Sequence, residues 1–202
     1  MNDLAQSHIR AHWEDMRAGR KMPLRSEIDP REMSPYLSNS FILHQAKTGD
    51  VRFRVAGMAI NELMGMELRA MPLRSIIVPE ERARFSATLQ HAFEEPEIQE
   101  YRLVADYDGK PRLTAQLLIL PLKGDYPNSD RAMGCLTTEG PIGVPPRRFR
   151  VENVLRTSLN TGFMTRSTQS HHAEQALEAV GFSEAHAPFT RETKVPYLRV
   201  VK

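Results

Sequence analysis

Phe41-Ile-Leu-His44, Val51-Arg-Phe-Arg-Val-Ala56 and Arg112-Leu-Thr-Ala-Gln-Leu-Leu-Ile-Leu-Pro-Leu122 decide the fold. In the second stretch Val51, Phe53 and Val55 alternate with Arg52 and Arg54, the pattern of a strand with one buried face. The third begins with the same alternation (Leu113, Ala115, Leu117) and ends in the continuous run Leu117-Leu-Ile-Leu120. A run of that kind predicts a central strand covered on both faces, with a long helix over one side and an N-terminal helix over the other.

Working outward, Lys47-Thr-Gly-Asp50 joins the first two strands as a hairpin, and Asp108-Gly109 is a tight-turn signal between Glu100–Asp106 and the central strand. Ala132–Thr138 is the last strand expected. Between the hairpin and these strands, Ile60, Leu63 and Met64 predict a short helix ended by Gly65. Pro79 opens a longer helix with Glu80 and Glu81 in its first turn, Phe85, Leu89 and Phe93 on one face, and Pro96 beyond its end. His91 lies off that stripe and reads as solvated. Asp3 to Gly19 reads as an amphipathic helix carrying Ala5, Ile9, Trp13 and Met16 on one side. Asp29-Pro-Arg-Glu32 reads as the capped start of a short helix. The order is α+β: strand, strand, helices, then three strands.

The 202 residues divide into an N-terminal amphipathic helix (1–22), a core domain (23–140), and a linker with a C-terminal tail (141–202). Pro141, Gly143, Pro145 and Pro146 mark the linker; Thr157 to Ser170 is polar and reads as partly flexible. Ala173, Ala176, Leu177 and Val180 are compatible with one short helix, and Tyr197–Lys202 with an edge strand. With 27 basic and 25 acidic side chains, net charge selects neither nucleic acid nor an acidic substrate. The lone Cys135 excludes an internal disulfide framework and fits a reducing compartment. No apolar run approaches the roughly 18 residues that span a bilayer, and the polar, acidic N-terminus lacks a signal-peptide pattern, so a cytoplasmic location is expected.

Catalytic motifs are missing: there is no P-loop, GxGxxG, HExxH or CxxC pair, and no nucleophile–base–orienter set. His171-His172 with Glu174 is the nearest approach to a metal motif, but adjacent helical residues diverge and converge poorly on one ion, so no metal is expected. Arg147-Arg148-Phe149-Arg150 has the composition of a phosphate grip with a stacking ring. Three arginines are few for such a surface and no helix-turn-helix accompanies them, so the cluster reads as solvated or as a dock for an acidic partner.

The chain resembles the PAS-type family of short alphaproteobacterial proteins. The match is carried by Trp13, Pro23-Leu-Arg-Ser-Glu-Ile-Asp-Pro30, Phe53-Arg-Val-Ala-Gly57, Glu62-Leu-Met-Gly-Met-Glu-Leu-Arg69, Leu120-Pro-Leu122 and Arg131-Ala-Met-Gly134. The resemblance implies a five-stranded antiparallel sheet with helices on one face, a non-catalytic sensing or signalling role, and homodimerisation. Asn61-Glu-Leu-Met-Gly65 lacks the flavin-reactive cysteine of the light-sensing branch, and His91 stands off the face a haem ligand would need; the cofactor, if any, is unknown.

The expected ligand is small and largely apolar, held between sheet and helices by Phe53, Val55, Leu63, Met64, Phe85, Leu89, Leu103 and Leu117, with Arg54 either as its polar contact or in a structural ion pair with Asp29 or Glu62. Ile9, Trp13 and Met16 are the expected dimer or partner contact, although a core role for Trp13 competes with it. A signalling protein partner is the other expected interaction. Two further readings stand beside the sensor: a ligand-free docking scaffold, and a cone-barrel enzyme of the isomerase or cyclase type. The enzyme requires Asp106 or His44 to face inward as a base.

Overall fold

Strand β4 (Leu113–Lys123) is the middle strand of a seven-stranded antiparallel sheet in a computed structural model that describes residues 2–106, 109–124, 130–159 and 164–168. These residues belong to one compact unit, Met1–Gln169. The other strands are β1 (Ser40–Gln45), β2 (Val51–Ala56), β3 (Glu97–Ala105), β5 (Asp130–Glu139), β6 (Arg150–Ser158) and β7 (Met164–Thr168). Their order is β2-β1-β5-β4-β3-β6-β7. The five strands anticipated from the sequence are present, and β6 and β7 extend the sheet from the edge of β3. Residues 150–158, read as linker and tail, are therefore partly sheet; the expected short helix near Ala176 and the strand near Tyr197 lie outside the described residues.

The continuous apolar run in β4 does what its composition requires. Leu117 and Ile119 enter one core with α3 (Arg82–Glu94), while Leu118, Leu120 and Leu122 enter a second core with α1 (Asn2–Arg17). Each buried leucine is worth about 1.5–3 kcal/mol, so a strand buried on both faces ties the two cores into one cooperative body. The short α2 (Met58–Met64) buries Ile60, Leu63 and Met64 and ends at Gly65, whose φ of 68° is the left-handed conformation of a helix stop. The Asn61 side chain then accepts from Leu68 N at 3.0 Å, fixing the turn into the next apolar segment.

Asp29 does not cap a helix. Its Oδ1 accepts from Arg31 N at 2.9 Å two residues on, a local turn that competes with helix initiation, and the helical turn forms later at Ser34–Asn39. Likewise Pro79–Glu81 makes a separate 3-10 turn ahead of α3.

Gly134 on β5 is required by close approach. A Cβ placed there would stand 1.9 Å from the Leu118 carbonyl and 2.8 Å from the Phe41 ring. Gly134→Ala is accordingly expected to lower stability by about 1–3 kcal/mol or more, seen as an earlier midpoint in urea unfolding. An unchanged midpoint would mean that strands β1, β4 and β5 are not packed this closely.

Candidate functional site

On the α2–α3 side of the sheet, Phe53, Leu63, Met64, Phe85, Leu89, Leu103 and Leu117 come together as expected, all buried in one cluster. They pack with Phe41, Leu73, Ile76 and Tyr101 of the same cluster. Val55 and Arg54 do not join them. A bulge interrupts the β1–β2 ladder: Ile42 pairs with Val55 and Leu43 with Phe53, so Arg54 is the extra residue. One extra residue flips every side chain beyond it to the other face. Val55 is 56% exposed and Arg54 is exposed, so neither lines that interior. The strand arginine that is engaged is Arg52, bonded to Asp50 at 3.0 Å, and Asp50 also pairs with Arg74.

A polar chain runs through the same layer at its β3–β6 end. Arg156 on β6 makes two parallel bonds to Glu97, from Nε to Oε1 at 2.8 Å and from Nη2 to Oε2 at 2.9 Å. Gln99 Nε2 donates to Glu97 Oε1 at 2.6 Å and to the Thr88 carbonyl of α3 at 2.7 Å. The Tyr101 hydroxyl donates to Gln99 Oε1 at 2.6 Å. Glu97, Gln99 and Tyr101 alternate on β3 and are all buried, and burial pushes the Tyr101 phenol far above its ordinary range. A phenol held neutral serves as a donor, and every polar atom named here has a partner. The chain thus anchors α3 to the sheet. Gln99→Leu is expected to cost about 1–3 kcal/mol, because it leaves the Tyr101 hydroxyl without its acceptor and removes the donor that ties the Thr88 carbonyl of α3 to the sheet. Retention of the wild-type melting temperature would show that the chain is not formed. These residues escaped the sequence reading, which began the strand at Glu100; the signal was their period-2 continuity with Tyr101 and Leu103.

Arg147 is 1% exposed, not a member of a solvated cluster. Its guanidinium donates to the carbonyls of Ile142, Pro141 (3.4 Å), Ala105 (3.1 Å) and Pro111 (2.6 Å). It draws the end of β3, the β3–β4 connection and the segment before β6 onto one planar donor group. Phe149 is fully buried and hydrogen-bonds Ile76 and Val78 through its backbone, so it has no free face for a base to stack on.

On the opposite side of the sheet, Ile9 and Trp13 are fully buried in the second core. Trp13 Nε1 donates to the Pro121 carbonyl at 2.9 Å, and Arg17 lies over its ring. Both residues are core anchors and are not available as a contact surface; Met16 is half-buried beside them. Apolar spacing on a helix does not distinguish a face covered by its own sheet from one covered by a partner. Beside α1, over β3, β4 and β6, lies a groove of about 700 Å3 whose walls include Gln6, Arg10, Glu100, Arg102 and Asn153.

Neither candidate base lies in a reaction cavity. Asp106 is exposed and paired with Arg150 at 3.4 Å. His44 shares with Ile42 the face away from α2 and α3; burial, then Arg131, Arg54 and Arg52, lower its pKa. Burial pushes the Cys135 thiol up to about 12, which leaves it protonated and unreactive. Among the described residues no three His, Cys, Asp or Glu side chains gather as a metal site, and no helix is long and apolar enough to cross a membrane. His171, His172 and Glu174 lie outside the described residues.

An antiparallel sheet with strand order β2-β1-β5-β4-β3, short helices and one longer helix over one face, and an N-terminal helix over the other is the layout of a PAS-type fold. Comparison with protein families agrees: residues 1–137 match the PAS domain, and the chain belongs to that family. The match ends within β5, so the Arg147 clamp, β6 and β7 lie beyond it. No curated protein and no solved structure matches the chain.

Proposed function

We propose that the chain is a non-catalytic PAS-type sensor that binds a small ligand or a protein partner and passes its state on through contacts made by α1 in a homodimer. The observation that carries this is the two-sidedness of α1. Ile9 and Trp13 lock one side of it into the sheet, while Leu4 (64% exposed), Ser7, His8 and Ala11 face outward. The helix also bounds the large groove through Gln6, Ser7 and Arg10, so what enters the groove bears on the element that a second copy would meet. The buried free cysteine suits a reducing, cytoplasmic setting.

A second reading, a docking scaffold that needs no ligand, is favoured by a different surface. Leu37 (41% exposed), Val55 and Met58 (67% exposed) lie on two segments that meet at Gly57, where the backbone abuts the Leu37 and Ser38 carbonyls. Exposed apolar side chains gathered in one place mark interaction surfaces.

Sedimentation velocity over a range of concentrations separates the two. The sensor reading predicts self-association that Leu4→Glu weakens and Met58→Glu leaves intact. Loss of association with Met58→Glu alone favours the scaffold. A monomer at every concentration sinks the homodimer of the sensor reading.

A further inference from the structure

Two side chains that border the groove beside α1 carry polar atoms of opposite kind that lack a partner. Gln6 Nε2 on the helix and Asn153 Oδ1 on β6 are both buried and have no hydrogen-bond partner. An unpaired buried donor or acceptor costs about 1–3 kcal/mol, and a turn of either half-buried carboxamide toward the groove lets an occupant there satisfy it. Asn153 reaches that space because of a second bulge. Arg102 pairs with Asn153 and Leu103 with Val151, which leaves Glu152 as the extra residue. Val151 and Val154 therefore point into the α3-side core, while Asn153 and Leu155 turn to the α1 side. Bulges that re-aim a side chain in this way are frequent beside binding sites.

The remaining lining defines the chemistry. Leu118 and Leu155 supply an apolar floor, the Arg10–Glu100 ion pair closes one wall, and the exposed Arg102 adds positive charge. A volume of about 700 Å3 is within the range of small-molecule sites, roughly 300–1,000 Å3. We propose that this groove binds a small molecule with an amide-type edge, one acceptor for Gln6 and one donor for Asn153, and an anionic substituent turned toward Arg102. Nucleobases and lactams both present such an edge. The assignment deepens the small-molecule part of the sensor reading. One wall, Asn153 and Leu155, comes from β6, beyond the span matched to the family.

The test is a titration of the full chain followed by NMR of its side-chain amides, with four probes: orotate (nucleobase edge and carboxylate), uracil (the same edge without the carboxylate), pyroglutamate (lactam edge and carboxylate) and benzoate (carboxylate without the edge). Orotate or pyroglutamate should shift the Gln6 and Asn153 NH2 signals, and whichever binds more tightly identifies the source of the edge. Gln6→Leu or Asn153→Leu should weaken that binding roughly fivefold to tenfold. Arg102→Gln, an exposed change with little risk to folding, should weaken it by severalfold and lower the advantage of orotate over uracil. Benzoate binding as well as orotate, or shifts from no probe, would overturn the proposal. Binding without any change in self-association would leave this site standing and refute the α1 output, so the two failures are distinguishable.

Discussion

Replacing Arg147 by methionine is expected to destabilise the protein by about 3 kcal/mol or more, and replacement by lysine by at least as much. The guanidinium is always charged and carries its donors in a rigid plane, which here meets four main-chain carbonyls from three segments. Hydrogen bonds from charged donors contribute about 1.5–3 kcal/mol each, though not additively. Methionine keeps volume but leaves the carbonyls of Ala105 and Pro111 without this donor. Lysine keeps the charge yet cannot span four acceptors from one nitrogen, so part of the burial penalty is no longer offset. Urea unfolding of the three proteins measures this. If Arg147 were an ordinary surface arginine, both variants would fall within about 0.5 kcal/mol of wild type.

Trp13→Ala is expected to cost about 3–5 kcal/mol, with Trp13→Phe losing a smaller share. The ring is fully buried against the β4–β5 side of the sheet and its N–H is held by the Pro121 carbonyl. Phenylalanine retains most of the apolar contact and gives up that bond, worth about 1 kcal/mol. Thermal unfolding monitored by circular dichroism gives the order wild type, Phe, Ala. A variant that altered the oligomeric state while keeping the melting temperature would return Trp13 to the role of a partner contact.

The legible parts of the fold were those in which local pattern and tertiary environment agree. Leu117-Leu-Ile-Leu120 announced burial on both faces, and α1 and α3 cover it. Val51, Phe53 and Val55 alternate without a break, yet the bulge at Arg54 sends Val55 outward; nothing in the alternation itself records an extra residue. Arg147 was obscured for a different reason. A basic run after prolines has the composition of a solvated linker, and the four carbonyls that hold it come from residues up to 42 positions away. Arg150–Ser158 fell within the residues read as linker and tail: a second bulge interrupts its alternation, and Arg156 is drawn inward by Glu97. The apolar residues expected between sheet and helices, Val55 excepted, sit together in the α2–α3 layer, where they form a packed core. The groove on the other face depends on Gln6 and Asn153, which are far apart in sequence and unremarkable in composition.

Whether a ligand acts on α1 through the groove is tested most directly by hydrogen exchange of the full chain, alone and with saturating orotate. Slowed exchange in α1 and β6, with α2 and α3 unchanged, is the predicted result. Slowing confined to α2 and α3 would place the ligand in the opposite layer, and no change anywhere would contradict ligand sensing through α1.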